Sequence, residues 1–103
     1  MTWAPSDWSQ YEHLVVAIHA DDVVPEPLHI KIEDAWHNGE FEDRFNRIVP
    51  LQHGWNEIRI ALEDVTAAPE YRPMEMDKIT RLAFFFKRPA RPQTVYFDAI
   101  RLD

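Results

Sequence analysis

The chain of 103 residues contains no cysteine, which excludes disulfide scaffolds, thiolate zinc centres and cysteine nucleophiles together. Glycine occurs only twice, too rarely for a loop that cradles phosphates. No apolar run approaches the ~20 residues needed to cross a bilayer. The opening Met1-Thr2-Trp3-Ala4-Pro5 lacks the basic start and apolar stretch of a secretory signal. Cations are in deficit: 11 Lys and Arg face 18 Asp and Glu, a net charge of −7. That balance argues against a nucleic-acid partner, because phosphate binding is driven by clustered cations. No serine sits in a Gly-x-Ser-x-Gly setting, and the five histidines show no His-Glu-x-x-His spacing. Nothing in the spacing of the acids selects a glycosidase pair. The expectation is a protein that is not an enzyme.

Hydrophobic residues make up 46% of the chain and charged residues 28%, the composition of one ordinary globular domain spanning residues 1–103. The dominant period is two. Leu28-His29-Ile30-Lys31-Ile32-Glu33 alternates strictly, as a strand with one buried face does. Trp55-Asn56-Glu57-Ile58-Arg59-Ile60-Ala61-Leu62 repeats the pattern, with Asn56 opening the row Ile58, Ile60, Leu62. Leu14-Val15-Val16-Ala17-Ile18 and Leu82-Ala83-Phe84-Phe85-Phe86 are apolar on both faces and read as central strands; Phe85 is expected under a second layer. In the last strand the apolar positions change parity from Val95 and Phe97 to Ile100 and Leu102, which predicts a bulge near Asp98-Ala99.

Asn38-Gly39 is a strong signal for a two-residue hairpin, which would pair Trp36 with Phe41, Glu33 with Arg44 and Ile32 with Phe45. His53-Gly54 would close a second hairpin, Val49 opposite Ile58 and Phe45 opposite Leu62, although either turn can instead join strands of two facing sheets. Both registers gather Leu28, Ile30, Ile32, Phe45, Val49, Ile58, Ile60 and Leu62 on one face. Arg47 falls among them, so either the strand bulges there or its guanidinium reaches a rim or a buried acid. Asp43 falls on the apolar side too and needs a partner, for which Arg47 is the candidate. Glu33 with Arg44, and Glu57 with Arg59, read as surface ion pairs. Between Leu62 and Lys78 the alternation stops: residues 63–68 suit a helical turn, and Pro69 and Pro73 keep the rest irregular. Arg88-Pro89-Ala90-Arg91-Pro92 reads as another loop. Six strand-like segments and one long loop describe an all-β fold, an antiparallel β-sandwich.

Aromatic residues reach 13%, generous for so short a chain. Sugar rings present apolar C–H faces, which a flat exposed aromatic flanked by amide, acid or guanidinium groups can hold. The candidate ligand site is Trp36, His37, Asn38, Phe41, Asp43, Arg44 and Asn46. The structural alternative makes Trp36 and Phe41 a cross-strand pair capping the core edge. Trp3 and Trp8 are either a lid over the core or exposed platforms, and Trp55 reads as a staple under a neighbouring loop. His13, His19 and His29 are either solvated strand residues or a weak metal patch on a shared polar face.

The strings Asp7-Trp8-Ser9, Glu42-Asp43-Arg44-Phe45-Asn46, Gly54-Trp55-Asn56, Arg72-Pro73-Met74 and Val95-Tyr96-Phe97-Asp98-Ala99-Ile100-Arg101-Leu102 together resemble the jelly-roll carbohydrate-binding modules of the galactose-binding-like superfamily. In detail the chain is similar to the soluble C-terminal domain of some VanZ-like bacterial membrane proteins. The resemblance implies a non-catalytic module that binds a glycan, often as one part of a larger protein and outside the cytoplasm. It implies a structural calcium held by the acid at Asp98 with ligands from an N-terminal strand. Such domains carry further strands before the Asp-Trp-Ser segment, so this chain is expected to be a shortened member or a piece of a longer protein. A sandwich without its first strands leaves an edge open to a second copy, hence an expected homodimer. The alternative function is a structural or protein-interaction sandwich that binds no sugar.

Overall fold

The computed structural model describes residues 6–21, 26–87 and 95–103. Trp3 and the loop at 88–92 lie outside the described residues. The described chain forms β1 (His13–Ala20), β2 (Leu28–Asp34), β3 (Phe45–Val49), β4 (Gly54–Ala61), β5 (Ile79–Phe86) and β6 (Val95–Leu102). A 3₁₀ turn (Phe41–Asp43) precedes β3 and the short helix α1 (Leu62–Thr66) follows β4. The strands make two antiparallel three-stranded sheets, β4-β1-β6 and β3-β2-β5, packed face to face. The architecture is the predicted all-β sandwich.

Alternation decides which side chains enter the space between the sheets. Leu14, Val16, Ile18 and Ala20 of β1 and Ile58 and Ile60 of β4 meet Leu28, Ile30 and Ile32 of β2 and Phe45 of β3 in a single buried cluster. Trp8 closes it as a lid, its backbone N–H bonded to the carbonyl of Met76 at 2.7 Å. Fully burying one such aliphatic side chain stabilises the fold by about 1.5–3 kcal/mol. Residues 63–68 do supply the predicted helical turn, with Leu62 and Val65 of α1 pointing into the core.

The bulge in β6 lies where the parity change placed it. Ala17 pairs with Ala99 and Ile18 with Phe97, leaving Asp98 as the extra residue. This shift lets Val95 on one side and Ile100 and Leu102 on the other all pack against the core.

Three expectations are corrected. The His53-Gly54 turn closes no hairpin, since β3 pairs with β2 and β4 with β1. Pro50 offers no N–H to continue a ladder, and Leu51 turns into the core, so the chain crosses from one layer to the other. Asn56 secures the crossing: its Oδ1 accepts from the Gln52 amide and its Nδ2 donates to the Gln52 carbonyl, both at 2.9 Å. This explains an amide at the head of an apolar row. Second, β5 is an edge strand rather than a central one. Phe84 and Phe86 pack against the core, whereas Phe85 lies on the outer face stacked on His29, centroids 5.1 Å apart, and is exposed rather than covered by a second layer of the described residues. Third, the Asn38-Gly39 signal marks a longer connection than a two-residue turn. Ile32 does face Phe45 as expected, but the β2–β3 ladder stops there.

Candidate functional site

The connection from β2 to β3 is built by three acidic or amide side chains that each organise a turn. Asp34, the last residue of β2, accepts the Trp36 amide at 3.1 Å. The Oδ1 of Asn38 accepts the Glu40 amide at 2.9 Å, which bends the chain through Gly39 at φ +92°. Asp43 accepts the Asn38 amide at 2.9 Å. Short polar side chains that bond their own backbone compete with a sheet ladder. The hairpin is replaced for that reason.

One guanidinium holds both ends of this loop. Arg72, from the irregular segment after α1, donates to both oxygens of Asp34 through Nη1 and Nη2 at 2.6 and 2.8 Å. It also donates to both oxygens of Asp43 through Nε and Nη2 at 2.9 and 3.1 Å. The Glu75 amide adds a further bond to Asp34 at 2.8 Å. Burial pushes the Asp34 carboxyl upward, but the bonds from Arg72 and from the Glu75 and Trp36 amides outweigh it and hold the group below its ordinary value. Asp43 is likewise lowered, chiefly by its bonds to Arg72, while the two carboxylates raise Arg72. The partner of Asp43 is therefore Arg72, not Arg47. Arg47 stays in register opposite Ile30 and reaches Asp64 of α1 at 3.6 Å on the rim, which settles its place in the apolar row.

On this braced loop the aromatics point outward. Trp36 is 62% and Phe41 65% exposed, so they are not a cross-strand pair capping the core. The Arg44 guanidinium lies 5.2 Å from the Phe41 ring centroid and receives support from Asn46, whose Oδ1 accepts from Arg44 Nε at 2.7 Å. The Nδ2 of Asn46 donates to the Phe41 carbonyl at 3.0 Å. His37 sits between a carbonyl and an acid, Nδ1 3.0 Å from the Asp43 carbonyl oxygen and Nε2 3.6 Å from Glu33. Glu33 also has Lys31 at 3.4 Å and Arg44 at 3.9 Å. The seven residues singled out from the sequence thus share one loop and its flank. Trp36 and Phe41 form the exposed part, and Arg44, Asn46 and His37 the polar flank. Asp43 faces inward, both oxygens taken by Arg72. Sequence reasoning missed Arg72 and Asp34 as partners, since no local spacing links positions so far apart.

Glu57 and Arg59 form an ion pair at 4.0 Å. Trp55 is exposed on the outer face of β4, not under a loop. His13 and His19 lie on β1 and His29 on the other sheet, so the three share no face. Asp98 is exposed at its bulge. Among the described residues no group of three or more His, Asp or Glu side chains is gathered to hold a metal ion. No helix among the described residues is long and apolar enough to cross a membrane. No family model matches the chain, and neither a curated protein nor a solved structure does.

Proposed function

We propose that this chain is a non-catalytic, carbohydrate-binding-module-like domain that holds a glycan on the Trp36 and Phe41 rings. The observation that carries the reading is the pairing of exposed rings with a rigid support: two aromatic side chains stand in solvent on a loop pinned at both ends by Arg72. A binding surface ordered in advance forfeits less conformational freedom on contact. The rings supply apolar faces for sugar C–H groups, and Arg44, His37 and Asn38 supply hydrogen bonds to hydroxyls. Asp43 acts through the loop, holding it in shape, and Asn46 holds Arg44 and the backbone at Phe41.

The state of the acids supports a binding role without turnover. A general acid in glycoside hydrolysis needs a carboxyl raised toward neutrality. Asp34 and Asp43, the buried acids among the described residues, are instead held low by Arg72. The likeness to modules of VanZ-like bacterial proteins, with its calcium at Asp98 and its pairing of copies through a sheet edge, belongs to the same proposal. Among the described strands β3 and β5 border one sheet and β4 and β6 the other, and each offers one unpaired side.

Acrylamide quenching of tryptophan fluorescence tests the reading. A soluble polysaccharide that binds should protect the fraction of emission that the substitution Trp36→Ala removes. Equal quenching with and without every member of a polysaccharide panel would favour the alternative, a structural or protein-interaction sandwich.

A further inference from the structure

The sheet β4-β1-β6 carries a second set of exposed rings, on the opposite layer from the β2–β3 loop. The register places Trp55 opposite His19 and His19 opposite Tyr96, one residue from each strand in a single row. Trp55 is 58% and Tyr96 55% exposed. His19 lies edge-on to Trp55, centroids 5.0 Å apart, and its Nδ1 is 3.4 Å from Asp21. In the next row toward the middle of the sheet, Glu57, Ala17 and Ala99 are aligned. The side chains of that row on the central strand β1 and on the edge strand β6 are methyl groups, so the sheet steps down beside the rings.

We infer that this row is a second glycan-binding platform, which makes the chain bivalent. Two strand spacings separate Trp55 from Tyr96, about 10 Å, the span of two linked pyranose rings. The shared register puts both aromatics in one row on the solvent-facing side of the sheet, and the alanine step leaves room for the hydroxyls and substituents of a sugar chain lying along the row. Glu57 and Asp21 are acceptors at its border, and the His19 ring lies between the two platforms. The border also argues against a protein partner. The cores of protein interfaces are depleted of charge, whereas on its inner side this row adjoins the Glu57–Arg59 ion pair at once. The platform stands without the loop carrying Trp36 and Phe41, whereas the bivalency rests on the function proposed for that loop.

Affinity electrophoresis of the full chain in gels containing hydroxyethylcellulose, xylan, galactomannan or polygalacturonate separates the two platforms. The variants are Trp55→Ala, Tyr96→Ala and Trp36→Ala, each checked for an unchanged thermal midpoint, as expected for side chains that are mostly in solvent. Trp55→Ala and Tyr96→Ala are expected to weaken retardation by about tenfold in dissociation constant in at least one gel, about 1.4 kcal/mol, and to do so in the Trp36→Ala background as well. Under conditions where light scattering shows a monomer, the bivalent wild-type chain should raise the turbidity of that soluble polysaccharide, and each single-platform variant should not. If Trp36→Ala has no effect while Trp55→Ala does, the loop reading fails and this platform stands. Retardation of Trp55→Ala and Tyr96→Ala equal to wild type in every gel overturns the second platform, as does a dimer in light scattering that Trp55→Ala abolishes.

Discussion

Arg72 grips Asp34 through two nitrogens, at 2.6 and 2.8 Å, although 38 residues separate them in the chain. The same guanidinium reaches Asp43, so one side chain joins the end of β2, the turn before β3 and the segment after α1. The Asp34 carboxylate is fully buried, and its two oxygens are satisfied by Arg72 and by backbone amides. Removing one partner of a buried ion pair leaves a charge without compensation and typically costs about 3–5 kcal/mol. Arg72→Ala should therefore lower the urea midpoint strongly, at the lower end of that range because the guanidinium is partly in solvent. Arg72→Lys should recover little, since an ammonium cannot bond two carboxylates in the fork geometry. A midpoint within experimental error of wild type would show that the loop stands without its clamp.

The acid limb of stability follows from the same pair. Asp34 and Asp43 are held below their ordinary values in the folded chain, while the unfolded chain titrates near about 3.9. The unfolded state then binds more protons at low pH, so their contribution is complete above about pH 4–5 and is lost as pH falls through the folded values. In Arg72→Gln, burial acts on Asp34 without an opposing cation and drives its carboxyl upward, which flattens the gain in stability between about pH 3 and 5. Urea titrations across that range, for wild type and variant, measure both slopes. Superimposable acid limbs would contradict the assignment.

Gly39 and Gly54 adopt φ of +92° and +93°, and a Cβ at either would meet nothing within 4 Å. Any cost of Gly39→Ala or Gly54→Ala is therefore backbone strain, about 1–2 kcal/mol each. Thermal denaturation checks this, and an unchanged midpoint would mean that the turns relax.

The proposed pairing of copies through a sheet edge is tested by light scattering at high protein concentration. A dimer is expected, and a proline at an outward-facing N–H of the participating strand should abolish it, because proline cannot donate to a ladder. A monomer under those conditions ends the idea.

Much of the fold was legible because it rests on a local signal. Ile30, Ile32, Ile58 and Ile60 alternate with polar neighbours and are all buried, and the parity change around Asp98 gave the bulge. Strand pairing was less legible. Whether β3 turns back on itself or crosses to the other layer depends on where Leu51 is seated, which alternation does not encode. Phe85 and Trp55 misled because aromatic residues are usually covered, whereas here each stands on an outer face beside a histidine. At the loop, Trp36, Phe41 and Arg44 were found from composition and turn chemistry. The clamp was not, since Asp34 and Arg72 meet only after the fold forms.

A glycan array probed with the labelled chain tests the central claim most directly. In a Trp55→Ala/Tyr96→Ala background, where only the loop platform can read, binding to at least one glycan is predicted, and adding Trp36→Ala should abolish it. No signal on any glycan, or equal signals with and without Trp36, would contradict the account.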